Sequence, residues 1–145
     1  MNIKINPLEE KYVDQVCRLE EAAFSMPWQR SAFLEMIEEK NACYLVALKN
    51  EEVVGACGLR NILGEGEITN VVIGEEYRNQ GIGYELLTCL LEEGKKMGVE
   101  AFTLEVRVGN KGAIHLYEKL GFKGEGIRKN FYEKPREDGL IMWKR

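Results

Sequence analysis

The residues best suited to binding an anion lie in a turn at 79–83, between an apolar stretch and a long amphipathic stretch. Gly81 and Gly83 lie in this turn, and glycine lets an anion approach the backbone closely. The first four amides of a helix lack partners within the helix, and the helix dipole places partial positive charge there. The sequence therefore predicts a diphosphate site at the start of a helix.

Two common nucleotide motifs do not fit this turn. It does not read G-x-G-x-x-G, and no acidic residue follows at the dinucleotide spacing, so we do not expect a Rossmann site. No Gly-Lys-Ser/Thr follows either, which excludes a phosphoryl-transfer P-loop on residue types. A tight strand-to-helix turn without a ligand is the alternative interpretation.

Two residues farther along the chain have side chains that can transfer protons. Glu105 lies near the end of a predicted strand, on the opposite side from its apolar neighbours. From spacing alone, an ion pair with Arg107 or with a nearby lysine is the simpler interpretation of Glu105. Tyr117 lies on the apolar face of a predicted helix, where a half-buried core tyrosine is the simpler interpretation. Spacing therefore permits acid–base chemistry at both residues without assigning it.

Three further polar side chains have structural interpretations. Glu67 begins an apolar strand and is either a rival base or a carboxylate at the strand edge. Asn110 precedes a predicted helix, and asparagine is a preferred N-cap residue. His115, the only histidine, lies between apolar positions and is interpreted as structural. The four cysteines show no C-x-x-C spacing and no histidine clustering, so we expect no metal.

The composition restricts the class of protein. A chain of 145 residues, 45% hydrophobic and 30% charged, predicts one globular domain over 1–145. The net charge of −4 argues against a nucleic-acid partner, which requires a basic face. The apolar run at 42–48 is too short for a bilayer, which takes about 20 residues. The N-terminus lacks the basic and apolar regions of a signal peptide, so we expect a cytoplasmic protein without membrane contact.

Hydrophobic spacing predicts the elements that position these residues, in the order βααβββαβαββ. Strands are expected at 2–6, 43–49, 53–63, 67–73, 101–108, 122–128 and 140–144. Helices are expected at 7–23, 29–40, 82–97 and 111–120, and a polar loop at 129–139. Asn6 is predicted to cap the first helix, with Pro7 in its first position. This order predicts an α/β fold with a mixed central sheet and helices on both faces.

The segment Arg78–Gly83, which reads RNQGIG, resembles the R/Q-x-x-G-x-G/A acyl-coenzyme A motif of the GNAT superfamily of N-acetyltransferases. Within that superfamily the chain is similar to the RimI group, which acetylates the N-terminal alanine of a small-subunit ribosomal protein. This closer resemblance covers nearly the whole chain. It rests on PW at 27–28, EITNVVI at 67–73, LEVR at 104–107, Asn110, LYEKLGF at 116–122 and EDGLIM at 137–142.

The resemblance implies a fold, a donor and an acceptor. It implies the acyl-CoA N-acyltransferase fold, a mostly antiparallel seven-stranded sheet flanked by about four helices. It implies acetyl-CoA as donor and a protein N-terminus as acceptor. We expect such an N-terminus to enter between 24–28 and 129–139. Glu105 would be the proton acceptor and Tyr117 the proton donor. The implied cofactor-binding residues are Val71, Val72, Ile73, Arg78, Asn79, Gln80, Gly81, Ile82, Gly83 and Asn110.

Some features leave alternatives open. Glu67 lies fourteen residues before Gly81, which matches the catalytic glutamate of the histone-acetyltransferase branch. Glu75 stands where the family often has proline, and Gly139 stands where alanine is usual, although neither change removes a reactive group. The alternatives are an acetyltransferase acting on a lysine or a small-molecule amine, and a non-catalytic module that binds acyl-CoA.

Overall fold

The computed structural model describes residues 2–145, which form seven strands and four α-helices. The strands are β1 (Ile3–Pro7), β2 (Ala42–Lys49), β3 (Glu52–Ile62), β4 (Glu65–Ile73), β5 (Ala101–Arg107), β6 (Lys123–Glu133) and β7 (Arg136–Lys144). The helices are α1 (Val13–Ala23), α2 (Arg30–Glu38), α3 (Ile82–Lys96) and α4 (Lys111–Lys119). Short 3-10 helices lie at Glu10–Tyr12 and Glu75–Tyr77. None of the helices in 2–145 combines the length and the apolar composition needed to cross a membrane.

The strands form one mixed sheet in the order β1-β2-β3-β4-β5-β7-β6. Every neighbouring pair is antiparallel except β4 and β5, which run parallel. Those two strands pair only where Glu65–Glu67 lies beside Ala101–Thr103. The predicted mostly antiparallel sheet is confirmed, and the short parallel seam leaves a gap between the rest of β4 and the rest of β5.

The two faces of the sheet carry separate cores. Leu104 and Val106 of β5 pack with Leu86 and Leu90 of α3 on one face. The other face packs against α1 and α2, through buried residues that include Val16, Phe33 and Tyr44. Because side chains alternate along a strand, Glu105 points away from the α3 core and toward the face that carries α1 and α2.

The predicted start of the first helix is wrong. Pro7 pairs with Leu45 at the end of β1, and the Leu8 amide continues this contact by donating to the Tyr44 carbonyl at 2.8 Å. The chain then forms the 3-10 helix, and α1 begins only at Val13. Proline is tolerated in an edge strand because it needs no ladder partner for its nitrogen, and here that placement buries Leu8. Asn6 therefore lies in a strand and caps no helix.

The predicted polar loop at 129–139 is also wrong, because most of it is strand. β6 continues to Glu133 and β7 begins at Arg136, so that the turn is reduced to Lys134 and Pro135. β6 is an edge strand with mostly exposed side chains, which gives it a polar sequence that resembles a loop. The other predicted elements lie within two residues of their observed bounds.

Candidate active site

The gap between β4 and β5 lies beside the residues predicted to bind the donor. β4 continues to pair with β3 as far as Ile73, whereas its pairing with β5 ends at Glu67. The edge of β4 that carries Val71, Val72 and Ile73 therefore has no strand partner on the β5 side. Such an edge can hydrogen-bond an extended ligand that contains amide groups.

The glycine turn opens onto the N-terminus of α3. Gly81 is the N-cap residue with φ of +82°, and Asn79 also has a positive φ of +61°. A side chain at Gly81 would meet no atom within 4 Å, so the space beside it is open. No side chain caps α3, which leaves its first amides available to a ligand.

The neighbours of these glycines hold the turn in place. Arg78 Nε donates to the Ile73 carbonyl at 3.3 Å, and Gln80 Nε2 donates to the Glu76 carbonyl at 3.2 Å. A Cβ at Gly83 would lie 3.1 Å from Leu116 Cδ2, so glycine at this position allows α3 and α4 to approach closely. Backbone groups, more than side chains, therefore face the open side of the turn.

Glu105 is partly buried, with 25% of its side chain exposed, and it pairs with a cation that sequence spacing did not indicate. Arg128 Nη2 of β6 lies 3.3 Å from Glu105 Oε1. The Glu105 Oε2 atom is buried and has no hydrogen-bond partner in the protein. Burial raises the pKa of Glu105, Arg128 opposes that rise, and the charge of Glu67 adds to it. A raised pKa brings a carboxylate closer to the range of an efficient general base.

The rival carboxylate Glu67 has a different environment. It is exposed, near the end of the parallel seam, opposite Thr103. It lies close enough to Glu105 to raise the pKa of that residue. The two carboxylates therefore share one charged region, with Glu105 the more desolvated of them.

Tyr117 of α4 is buried in the core that α3 covers, with 6% of its surface exposed. Its ring packs edge-on to Phe122 at a centroid distance of 6.1 Å. Burial is the largest cause that raises the pKa of Tyr117, followed by the nearby Cys57 and Tyr132 groups. The phenol therefore keeps its proton at neutral pH. Asn110 Oδ1 accepts from the Ala113 amide at 3.2 Å, so Asn110 caps α4.

Arg107 does not pair with Glu105, which corrects the simpler interpretation from spacing. Its Nη1 donates to the Pro135 carbonyl at 2.8 Å and lies 3.3 Å from Glu137 Oε1. Its guanidinium also lies 4.3 Å from the centre of the Tyr132 ring. Arg107 therefore fixes the β6–β7 turn to β5, and no sequence signal indicated this because the turn was predicted as a loop.

Glu20 is a second buried carboxyl that sequence reasoning missed, since it resembled an ordinary charge on a helix surface. It is 1% exposed, and its Oε1 accepts from Asn70 Nδ2 at 2.8 Å and from the Trp28 amide at 3.4 Å. Asn70 interrupts β4 with φ of +56°. Burial raises the pKa of Glu20. This carboxyl joins the segment after α1 to the irregular part of β4 beside the gap.

His115, the only histidine, has no predicted partner in the site. His115 is exposed on α4, away from the buried face that holds Tyr117. Within 2–145, the histidine, cysteine, aspartate and glutamate side chains form no group of three or more that could hold a metal ion. The chemistry that the arrangement supports is proton transfer beside an open strand edge.

Comparison with known proteins identifies the family. The family model described as acetyltransferase (GNAT) family matches residues 13–122. The chain belongs to this family. It is therefore a GNAT acetyltransferase, and the members of this family use acetyl-CoA as donor.

Two relatives of this GNAT chain have names that state the same acceptor. The ribosomal protein bS18-alanine N-acetyltransferase of Escherichia coli strain K12 is 33% identical over 140 residues, covering 95% of this chain and 94% of the relative. A Bacillus subtilis protein, provisionally given the same name, is 39% identical over 132 residues, covering 90% of this chain and 87% of the relative. The crystal structure of the ribosomal-protein-S18-alanine N-acetyltransferase from Escherichia coli matches with a TM-score of 0.88 at 31% identity, covering 99% of this chain and 93% of the other.

Proposed function

We propose that this protein transfers the acetyl group of acetyl-CoA to the α-amine of a protein N-terminus, namely the N-terminal alanine of ribosomal protein bS18. The observation that carries the proposal is the Glu105 carboxylate, which is partly desolvated and has an unpartnered oxygen beside the gap. The names of relatives at 33% and 39% identity support the choice of acceptor.

The chemistry of the amine agrees with a single carboxylate as base. An amine attacks a thioester only in its neutral form. A free α-amino group has a pKa of about 7.7–8.0, whereas that of lysine is about 10.4. Near neutral pH a substantial minority of N-termini are therefore neutral, but only about one lysine in a thousand. An N-terminal acceptor thus requires a weaker base than a lysine acceptor does, and Glu105 can act through a water molecule.

The donor is a substrate of this reaction, and the residues beside the gap suit it. The open amides of Asn79, Gln80, Gly81, Ile82 and Gly83, with Arg78 beside them, would bind the diphosphate. The unpaired edge at Val71, Val72 and Ile73 would bind the amide-bearing pantetheine arm, and Asn110 would contact the donor from the start of α4.

The proposed transfer needs one base and one acid. Glu105 accepts a proton from the α-ammonium through water, and the freed nitrogen attacks the thioester carbonyl. Backbone amides near Val72 polarise that carbonyl oxygen. A carbon–nitrogen bond forms, the nitrogen releases its second proton to solvent as the carbon–sulfur bond breaks, and Tyr117 gives its phenolic proton to the leaving thiolate. The proton held by Glu105 leaves to solvent, and Tyr117 regains one, so the protein returns to its starting state.

Two segments are proposed to guide the acceptor N-terminus toward Glu105. The segment after α1 presents exposed apolar side chains at Phe24 and Met26, and β6 presents Ile127 and Phe131. Exposed apolar side chains beside a reactive site provide contact area for a polypeptide. The acceptor would enter between these two segments.

The direct test combines the protein, acetyl-CoA and a peptide carrying the N-terminal sequence of bS18. We expect release of coenzyme A thiol and a single acetyl group on the α-amine, located by mass spectrometry. A peptide that is already blocked at its α-amine is the control, and it should not react. Acetylation of lysine alone, or of polyamines in preference to the peptide, would contradict the acceptor assignment. Binding of acetyl-CoA without turnover of any amine would support a non-catalytic module instead.

Removing the acid and the base tests their roles. We expect Glu105→Gln to lower kcat by about 10²–10⁴-fold, since an amide cannot accept the proton, and Tyr117→Phe to lower it by at least about tenfold. Steady-state kinetics with the peptide measure both effects. Glu100→Gln and Tyr84→Phe, at exposed positions, are matched controls and should retain the unmodified protein's rate. Unchanged rates for Glu105→Gln and Tyr117→Phe would remove both assignments.

A further inference from the structure

Arg128 places an exposed positive charge beside one carboxylate oxygen of Glu105. Its Nη2 lies 3.3 Å from Glu105 Oε1, and 56% of its side chain is exposed. β6 is an edge strand, and its ladder with β7 shifts register between Arg128 and Tyr132. The guanidinium also lies 5.3 Å from the centre of the Phe131 ring. Arg128 thus has two contacts available, one with Glu105 and one with an aromatic ring.

We propose that Arg128 is an exchangeable counter-ion, which pairs with Glu105 in the free enzyme and is displaced from it by the α-ammonium of the acceptor. The inference rests on the proposed function, because it takes Glu105 as the base. An incoming N-terminus carries the same single positive charge as the guanidinium. Arg128 would then act as a positioning residue, without contact with the reacting carbonyl.

The surroundings of Glu105 explain why it needs a counter-ion. The titratable groups near it are Glu67 on β4, together with Arg128 and Tyr132 on β6, and the β7 residue paired with it is Ile141. Glu67 repels the carboxylate, and the buried Oε2 has no donor. A partly desolvated carboxylate left without a cation is unfavourable. Exchanging one cation for another keeps Glu105 paired at every stage of acceptor binding.

The exposure of Arg128 explains why the exchange is feasible. Ion pairs between exposed side chains contribute little to stability, and Arg128 is the exposed member of this pair. The released guanidinium keeps its contact with the Phe131 ring, which limits the interaction energy that Arg128 loses on leaving Glu105. An ion pair this weak can keep Glu105 ionised in the free enzyme. A substrate that adds further contacts can still displace Arg128.

The proton balance separates acceptor binding from product release. The α-ammonium gives one proton to Glu105, so both partners become neutral and Arg128 has no charged partner to return to. The acetylated product carries no charge on its N-terminal nitrogen. When Glu105 later loses its proton to solvent, Arg128 pairs with it again and no cation on the product competes. Arg128 therefore competes with the ammonium of the free amine, and it does not compete with the acetylated product.

The test uses Arg128→Gln and Arg128→Lys, with Arg136→Gln, at an exposed position in the same hairpin, as the control. Removing the charge removes a group that holds the Glu105 carboxylate in its ionised form. We expect the acidic limb of kcat/KM for Arg128→Gln to move to higher pH by about half a unit. Above that limb we expect the dissociation constant of the free-amine peptide to fall about two- to fivefold. Arg128→Lys and Arg136→Gln should keep the acidic limb within about 0.2 unit of the unmodified protein.

The acetylated peptide provides the decisive comparison. It lacks the ammonium, so its dissociation constant should be the same for the unmodified protein and for Arg128→Gln. Weaker binding of both peptides by Arg128→Gln would show that Arg128 simply binds substrate, and an unmoved acidic limb with unmoved affinity would show no exchange. Either result overturns the inference. If Glu105→Gln keeps full activity, the base assignment itself fails. If Glu105→Gln is inactive and Arg128→Gln shifts nothing, only the exchange fails.

Discussion

Three carboxylates of this protein differ in reactivity because of their surroundings. Glu67 is exposed, Glu105 is partly buried beside Arg128, and Glu20 is buried on the inner face of α1. Glu20 and Glu105 each have one buried oxygen without a hydrogen-bond partner, and burial raises the pKa of both. The two residues differ in solvent access, because Glu20 is 1% exposed and accepts hydrogen bonds from two donors. Glu105 is therefore accessible for the proton transfer proposed above, while Glu20 joins two segments of the chain.

Substituting Glu20 should separate its hydrogen bonds from its charge. Glu20→Ala removes the acceptor used by Asn70 and by the Trp28 amide, and it leaves a void, so we expect a loss of about 2–4 kcal/mol in the free energy of unfolding. Glu20→Gln keeps an acceptor oxygen and should be much less destabilising. Urea titration at neutral pH measures both values, and an equal loss for the two variants would contradict this account.

The same pair of variants gives a pH test. Because the pKa of Glu20 is higher in the folded state, the folded protein holds its proton above the pH at which the unfolded chain releases it. The contribution of Glu20 is thus complete below its unfolded pKa of about 4.3 and is lost as pH rises through the folded pKa. The unmodified protein should therefore lose stability relative to Glu20→Gln between pH 4 and pH 7. A difference that stays constant over this range would contradict the raised pKa.

At the scale of the element, a glycine with a left-handed backbone lies at each end of α3. Gly81 at its N-terminus has φ of +82°, and Gly98 beyond its C-terminus has φ of +91°. A Cβ at either position would meet no atom within 4 Å, so only backbone conformation disfavours a side chain there. The backbone conformation is unfavourable for a residue other than glycine at both positions, but only Gly81 faces the proposed diphosphate site.

This symmetry gives a matched pair of substitutions. Gly81→Ala and Gly98→Ala should each lower the free energy of unfolding by about 1–2 kcal/mol, because the left-handed conformation is unfavourable for alanine. Only Gly81→Ala should also raise KM for acetyl-CoA, because its methyl group lies beside the amides that bind the anion. Thermal denaturation and donor kinetics measure the two effects. A similar rise in KM for Gly98→Ala would indicate a general effect of stability.

At the scale of the whole molecule, the sheet consists of two parts joined by a short seam. The strands β1 to β4 form one part, and β5, β7 and β6 form the other. Between them the backbone pairs only at Glu65–Glu67 with Ala101–Thr103, and side chains of the α3 core span the rest. A ligand lying along the free edge of β4 would therefore contact both parts at once.

Donor binding should be visible in the stability of the whole protein. Coenzyme A at a hundred times its dissociation constant adds about 2.7 kcal/mol, which corresponds to a rise in Tm of about 5–10 °C for a protein of this size. Hydrogen exchange should slow at the amides of 68–73 that face β5, whereas the amides of β4 bonded to β3 are internal controls. Slower hydrogen exchange in α1 and α2 alone would indicate that the donor does not bind along β4.

The sequence predicted the parts of this protein that depend on local pattern. The spacing of Leu86, Leu87 and Leu90 predicted α3, and strand alternation placed Glu105 on the face opposite Leu104. What it missed depends on register between distant segments. Arg128 meets Glu105 only because β7 pairs with both β5 and β6. Likewise, nothing local distinguishes the buried Glu20 from the exposed Glu21 beside it.

The anchoring of the β6–β7 turn by Arg107 has a consequence for protein engineering. The strand that carries Glu105 also carries, two residues later, the side chain that holds the hairpin bearing Arg128 and Tyr132. Transplanting only Glu105 and Tyr117 onto another scaffold would omit Arg128 and the β6–β7 hairpin that carries it. The smallest portable unit is therefore β5 together with the hairpin, and substitutions that reshape the hairpin for a new acceptor must keep Arg107 and Glu137 as its fixed attachment.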